Sequence, residues 1–381
     1  MDARLYDVIG YRDQTGWSSL SDFVLGPAES VASRMAIAEP DWSLYALDKA
    51  ADCALFVELP LGTDLSACPF AYADQHRLAR RVLTLPLAGL DDLASQIPAA
   101  RQVILLFNIG RCGSTLVSAA LNAVPGLWSL SEPDAYSTLV LQHYHSRTRQ
   151  DFPPEQAVRL IRACTRLLFR PPVGRPFDVF AVKLRSQSLF QADLFHRALP
   201  GASFVFLYRD ALSWAGSVYY MLRKYGFPER LTGDDRALAW SVFTAAADLA
   251  ELRRYLDIDA DSVPVEAALA PAWACNMVEY TRHLRGGVPF LALRYNEIKA
   301  EREKSVERLL RHCGLPLDHA AQALQAFDHD SQAGTKLSQD TGGDRLSVER
   351  IAALAEVLAR QPVHADGELR LDDIYSGQTA G

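Results

Sequence analysis

The chain has 381 residues, 49% of them hydrophobic and 22% charged, enough for a large buried core and for one big or two ordinary domains. Lys and Arg number 39 against 46 Asp and Glu, and the resulting net charge of −7 argues against a nucleic-acid partner or an anionic membrane surface. No apolar run approaches the ~20 residues that cross a bilayer. The six cysteines show no metal-ligand spacing, and the opening MDARLYDVIGYRD has neither a basic nor an apolar leader segment; a cytoplasmic chain with free thiols and no metal is expected.

Residues 1–97 read as a separate accessory α+β subdomain. Ala54 to Leu59 has the pattern of a strand. QHRLARRVLTLPLAGLDDLASQIP mixes helical and strand periods and is broken by Pro86 and Pro98. This stretch carries no chemical motif, and a lid or packing unit is the expectation.

From Arg101 the pattern alternates. Short apolar runs at Val103–Phe107, Leu127–Leu130, Val179–Leu184, Ser203–Tyr208 and Pro289–Tyr295 have the length of buried strands. Helical patterns at Ser114–Ala123, Pro154–Leu168, Leu189–Ala198 and Leu212–Tyr225 fall between them. Strand and helix in alternation predict an α/β fold with a parallel sheet flanked by helices. Ligands of such sheets gather at the carboxyl ends of the strands. The segments to examine are therefore NIGRCGST, SEPD, KLRS, RDALS and YNE.

NIGRCGST joins a strand to a helix. Its backbone N–H groups, near the positive end of the helix dipole, suit an anion, and Gly110 and Gly113 permit the tight turn. Ser114 stands where an ATP-binding loop carries lysine, so a magnesium–ATP site is poorly supported. Arg111 offers a fixed charge and planar donors to a phosphate or sulfate oxygen. A Gly/Ser turn with a solvated arginine is the plain alternative. Downstream, Arg209 ends a strand, Asp210 can cap the next helix, and Ser217 lies two turns into it. Arg209 and Ser217 could together grasp one terminal phosphate, or the pair could be a capped turn with a surface arginine.

Together the two segments resemble the sulfotransferases that use 3′-phosphoadenosine 5′-phosphosulfate (PAPS), closest in motif layout to the tyrosylprotein and bacterial members. GRCGST looks like that family's 5′-phosphosulfate loop, and Arg209 with Ser217 fits its 3′-phosphate pair. FLALRYNEIKAEREKSVERLLRHCGLP resembles its later strand and helix. The resemblance covers about residues 103–346. It implies a P-loop-type α/β domain over 98–346, leaving 347–381 as a C-terminal helix and tail. It implies PAPS as donor, no metal, and a hydroxyl-bearing acceptor, with small molecules the first expectation.

By the same resemblance Glu132 is the general base, with Asp134 as its understudy, and Lys183 and Arg111 stabilise charge at the leaving oxygen. Arg185 stands where cytosolic members carry a catalytic histidine, and an arginine cannot serve as a base near neutral pH. The donor would be bound by Gly110, Arg111, Cys112, Gly113, Ser114, Thr115, Arg209 and Ser217. Tyr295, Lys336 and Ser338 are the further contacts. Leu116 replaces the family's adenine-stacking tryptophan, and Cys112 fits as a small residue. A magnesium–ATP kinase of small molecules and a non-catalytic nucleotide-binding module are the alternatives.

Overall fold

The computed structural model describes residues 2–14, 17–48, 50–139, 153–171, 177–233, 262–329 and 346–359. The chain begins with β1 (Asp2–Tyr11), β2 (Phe23–Leu25), β3 (Glu29–Ala32), β4 (Trp42–Asp48), β5 (Cys53–Glu58) and β6 (Arg81–Pro86). They form one sheet in the order β2-β1-β6-β5-β4, with β3 also paired to β1, and every pairing is antiparallel. Short helices α1 (Met35–Ala38), α2 (Ala71–Leu78) and α3 (Leu90–Ser95) complete the segment. β1 starts with a period of two, Ala3 and Leu5 buried and Arg4 exposed, as a sheet with one covered face requires.

The second sheet contains β7 (Gln102–Asn108), β8 (Leu127–Ser131), β9 (Val179–Lys183), β10 (Ser203–Tyr208) and β13 (Phe290–Arg294). Between the last two lies a small ladder, β11 (Arg230–Leu231) with β12 (Val263–Pro264). The five strands run parallel in the order β13-β10-β7-β9-β8. β8 and β9 are buried throughout and β7 and β10 nearly so, because crossover helices cover such sheets on both faces, while in edge strand β13 only Leu293 is buried. The helices are α4 (Ser114–Asn122), α5 (Pro154–Leu168), α6 (Ala192–Ala198), α7 (Ala211–Lys224), α8 (Val265–Arg285), α9 (Tyr295–Ala300), α10 (Arg302–His312), α11 (Ala320–Gln325) and α12 (Val348–Ala359).

The expected strands all form, shifted by a residue or two at most. One helix differs. Ser186–Gln191 winds as a 3₁₀ turn and α6 follows it, where a single helix over Leu189–Ala198 was expected. The cause is burial: Ser188, Leu189, Phe190 and Gln191 are consecutive and all buried, which a one-sided α-helix cannot achieve.

Aromatic rings fill the centre of the second sheet. Phe107 stacks on Phe204 at 5.7 Å, and Phe206 stacks on Tyr280 of α8 at 4.3 Å. β7 sits in the middle, with β9 on one side and β10 on the other, so the chain's winding reverses beside it. That reversal opens a crevice at the carboxyl end of β7. Among the described residues no helix is long and apolar enough to cross a membrane.

Candidate active site

The turn after β7 is built by backbone conformations that few residues adopt. Gly110 and Gly113 have φ of 70° and 80°, and Arg111 between them has φ of 52°. An arginine there costs about 1–2 kcal/mol. Asn108 fastens the turn at its start, donating from Nδ2 to the Leu184 carbonyl (2.6 Å) and accepting from the Gly110 N–H (2.9 Å). The Trp214 indole of α7 donates to the carbonyls of Ile109 (3.0 Å) and Gly110 (3.1 Å). The Cys112 thiol donates to the Leu207 carbonyl and is fully buried; burial pushes it up to about 11. It is a packing residue at the head of α4, and its helix-terminal position does not activate it.

The two arginines meet at this turn. Arg111 Nε donates to Ser217 Oγ at 3.1 Å, and Arg209 Nε donates to Ser213 Oγ at 2.8 Å. The sequence pattern paired Arg209 with Ser217; the side-chain bonds run one turn across. Ser213 and Ser217 are four residues apart on one face of α7, so a single helix face presents a hydroxyl to each guanidinium. Burial first, and then the charge of Arg209, push the Arg111 guanidinium below its usual range. Burial does the same to Arg209, against the raising influence of Tyr295 and Asp210.

Asp210 caps α7 by accepting from the Ser213 N–H (2.9 Å), and it also accepts from Ser213 Oγ and from Asn296 Nδ2 (2.8 Å). The Arg209 guanidinium lies over the Tyr295 ring at 4.7 Å. The same ring closes on the turn: a Cβ placed on Gly113 would come within 2.7 Å of it.

A second group of charges stands at the ends of β8 and β9. Lys183 ends β9, is 2% exposed, and donates to Thr115 Oγ1 at 3.0 Å. Its Nζ is 2.6 Å from Glu132 Oε1. Glu132 follows β8 with φ of 54°, a second strained residue at this edge. Its N–H extends the strand pairing by donating to the Lys183 carbonyl at 2.7 Å. The loop that holds Arg111 thus also delivers Thr115 to Lys183, which joins the two charged groups into one crevice.

Around Glu132 the structure adds partners that pattern reading passed over, Trp17, Ser18, Phe70 and Tyr72. Asp134 is fully buried and accepts from the N–H (3.1 Å) and Oγ (2.7 Å) of Ser18. Arg185 Nε lies 2.9 Å from Asp134 Oδ1 and 3.9 Å from Glu132 Oε2. Burial raises the Asp134 carboxyl, and Arg185 opposes the shift. Fully buried, ion-paired with Arg185 and bonded through Oδ2 to Ser18, Asp134 is a structural anchor, so its place as understudy to Glu132 is withdrawn. The Arg185 guanidinium lies over the rings of Trp17 (4.7 Å) and Tyr72 (3.8 Å), and Lys183 lies over Phe70 at 5.2 Å. The first 97 residues therefore wall the crevice with three aromatic rings. The adjacency of Trp17 and Ser18, an aromatic beside a hydroxyl, was the only sequence signal.

Tyr136 and Trp273 are core: the first bonds Thr165 Oγ1 and the second donates to the Arg209 carbonyl at 2.9 Å. Lys336 and Ser338 lie outside the described residues. Among the described residues no group of three or more His, Cys, Asp or Glu is placed to hold a metal ion.

No family model matches the chain, and no curated protein sequence matches it significantly. Its fold is similar to that of a sulfotransferase from Alicyclobacillus acidocaldarius, at 14% identity and TM-score 0.42 over 68% of this chain and 92% of that one. It is similar to a sulfotransferase from Mycobacterium avium, at 15% identity and TM-score 0.38 over 74% of this chain and 82% of that one. A sulfotransferase domain from the curacin biosynthetic pathway matches at 12% identity and TM-score 0.36, over 75% of this chain and 99% of that one. Likenesses at this level carry no argument about activity, which has to come from the crevice itself.

Proposed function

We propose that the chain is a sulfotransferase that moves a sulfuryl group from PAPS to an acceptor hydroxyl. One observation carries this reading. Two half-buried guanidinium groups, Arg111 and Arg209, bond serines one turn apart on α7, on one side of a strand-to-helix turn, while Lys183 and Glu132 face each other on the other. An anion seated by the guanidinium groups would offset both their burial and their repulsion. The cradle is shaped for close approach, since the turn has no room for a side chain at Gly113.

In this reading Arg111, the N–H groups of residues 111–115 and Thr115 hold the phosphosulfate end of the donor. Arg209, Ser213 and Ser217 hold the 3′-phosphate, with Tyr295 beside the adenosine. The donor supplies a sulfuryl group on an anionic leaving oxygen. Glu132 accepts the proton of the attacking hydroxyl. Lys183, already held by Thr115, supplies positive charge at the oxygen from which sulfur departs. Phe70, Tyr72 and Trp17 keep water from the carboxylate and favour an acceptor with an apolar body.

The test combines binding with turnover. Adenosine 3′,5′-bisphosphate should raise the melting temperature while magnesium–ATP leaves it nearly unchanged. Labelled sulfate should pass from PAPS to phenol, naphthol or hexanol, and should do so in EDTA. A melting shift only with magnesium–ATP, together with phosphoryl transfer, would instead establish a kinase.

A further inference from the structure

If Glu132 is the base, its carboxylate has to stay aimed while its nearest partner changes duty. Lys183 holds one oxygen of Glu132, and the same ammonium is asked to stabilise the leaving oxygen. Once it turns to the donor, Glu132 loses its shortest contact.

The structure provides a second cation that cannot turn away. Arg185 is fixed on one edge by buried Asp134 and lies over the rings of Trp17 and Tyr72, and its Nε stands 3.9 Å from the other oxygen of Glu132. Asp134 is in turn fixed by both donors of Ser18. The chain continues into the N-terminal sheet: Gln14 Nε2 donates to Ser18 Oγ (3.4 Å) and to the Tyr45 hydroxyl (2.6 Å), which donates to Asp22 at 2.6 Å. A charge buried this deeply is costly unless it is paired, and here Asp134 is paired with Arg185, whose Nη2 donates to its Oδ2 at 3.1 Å, while Asp134 Oδ1 and Arg185 Nε, 2.9 Å apart, make no aligned hydrogen bond. The ionisable groups about Glu132 are Lys183, Arg185, Asp134 and Tyr72.

We propose that Arg185 is a positioning residue: clamped by Trp17, Tyr72 and Asp134, it holds the Glu132 carboxylate while Lys183 serves the donor. The N-terminal unit is then part of the catalytic apparatus. The inference rests on the sulfotransferase reading for the task of Glu132, and its geometry can be tested without that reading.

Two variants test it. Arg185→Lys keeps the charge beside Asp134, so the fold is preserved, but it loses the planar edge that faces Asp134 with Nε and Nη2 and brings Nε to 3.9 Å from Glu132. With PAPS and naphthol its kcat should fall on the order of tenfold to a hundredfold, with donor KM little changed. In the Glu132→Gln background the same change should cost nothing further, because the two residues act as one unit. Arg185→Gln removes the cation. Its kcat should fall at least as far as that of Arg185→Lys, with donor KM again little changed.

Carbodiimide and glycine ethyl ester labelling, mapped by mass spectrometry, reads how firmly Glu132 is held with no substrate present. At a fixed pH, labelling of Glu132 should rise in Arg185→Gln, with buried Asp134 as the unlabelled control. Wild-type kcat in Arg185→Lys, or an equal loss in both backgrounds, overturns the proposal. If Arg185→Gln does not fold, Arg185→Lys decides. A chain that neither binds adenosine 3′,5′-bisphosphate nor transfers sulfate, but whose Glu132 labelling still follows Arg185, sinks the sulfotransferase reading and leaves the clamp standing.

Discussion

Glu132 and Gly113 are the residues on which the chemistry and the cradle depend most directly. Glu132→Gln keeps size and hydrogen-bonding capacity but cannot take a proton. Calorimetry should still show adenosine 3′,5′-bisphosphate bound, while initial rates fall by about 10²–10⁴-fold. Gly113→Ala asks an alanine to hold φ of 80° with its Cβ 2.7 Å from the Tyr295 ring. The ring must move, and it carries Arg209 on its face. A lower melting temperature and weaker nucleotide binding should appear together. Gly110→Ala meets open space and should cost only its backbone strain.

Helices act here as braces for loops. The α7 indole of Trp214 holds the first two carbonyls of the anion turn, and the α8 indole of Trp273 holds the carbonyl of Arg209. Trp214→Phe keeps the ring and removes the donor. Two carbonyls lose a buried partner, and denaturant unfolding should show a loss of about 1–3 kcal/mol with weaker nucleotide binding.

α8 also carries the clearest pH response. His283 is 2% exposed and sits near Asp193 (3.7 Å) and Glu279 (3.6 Å). Burial first, and then Arg282, push its imidazole down from 6.5 to about 4. The unfolded chain therefore binds the proton more readily. The stability His283 contributes is whole above pH 6.5 and is lost as pH falls toward about 4, on the order of 3 kcal/mol in all. His283→Gln should remove that part of the slope, read as the difference between urea midpoints of the two proteins across this range.

The two sheets are fastened side chain to backbone and side chain to side chain. Trp128 Nε1 donates to Asp64 (3.1 Å), Ser131 Oγ to the Pro69 carbonyl (2.7 Å), and the Leu47 N–H to Thr138 Oγ1 (3.0 Å). Asp134 accepts from Ser18, and Arg170 donates to the Ile37 carbonyl at 3.2 Å. One continuous cluster of buried apolar side chains runs through both. Scanning calorimetry should give a single transition. Residues 98–381 alone, with the face of β8 uncovered and Asp134 buried without Ser18, should melt broadly or aggregate.

Local pattern was enough to read the alternation of β7 to β13 with its helices, because a buried parallel strand is an unbroken apolar run and a one-sided helix repeats at 3.6 residues. It was enough to mark the strand ends that carry Arg111, Glu132, Lys183 and Arg209, since ligands of such sheets collect there. The antiparallel N-terminal sheet was half visible: the period of two in β1 was present, but pairings such as β1 with β6 join residues some eighty positions apart, and no local window records them. What only the folded chain decided is which charges meet. Arg185 looked like a lost histidine until Trp17, Tyr72 and Asp134 closed around it, and Asp134 looked like a spare base until Ser18 occupied it. Side-chain partners across a crevice are chosen by the packing of distant elements, and a sequence carries that choice only through the whole fold.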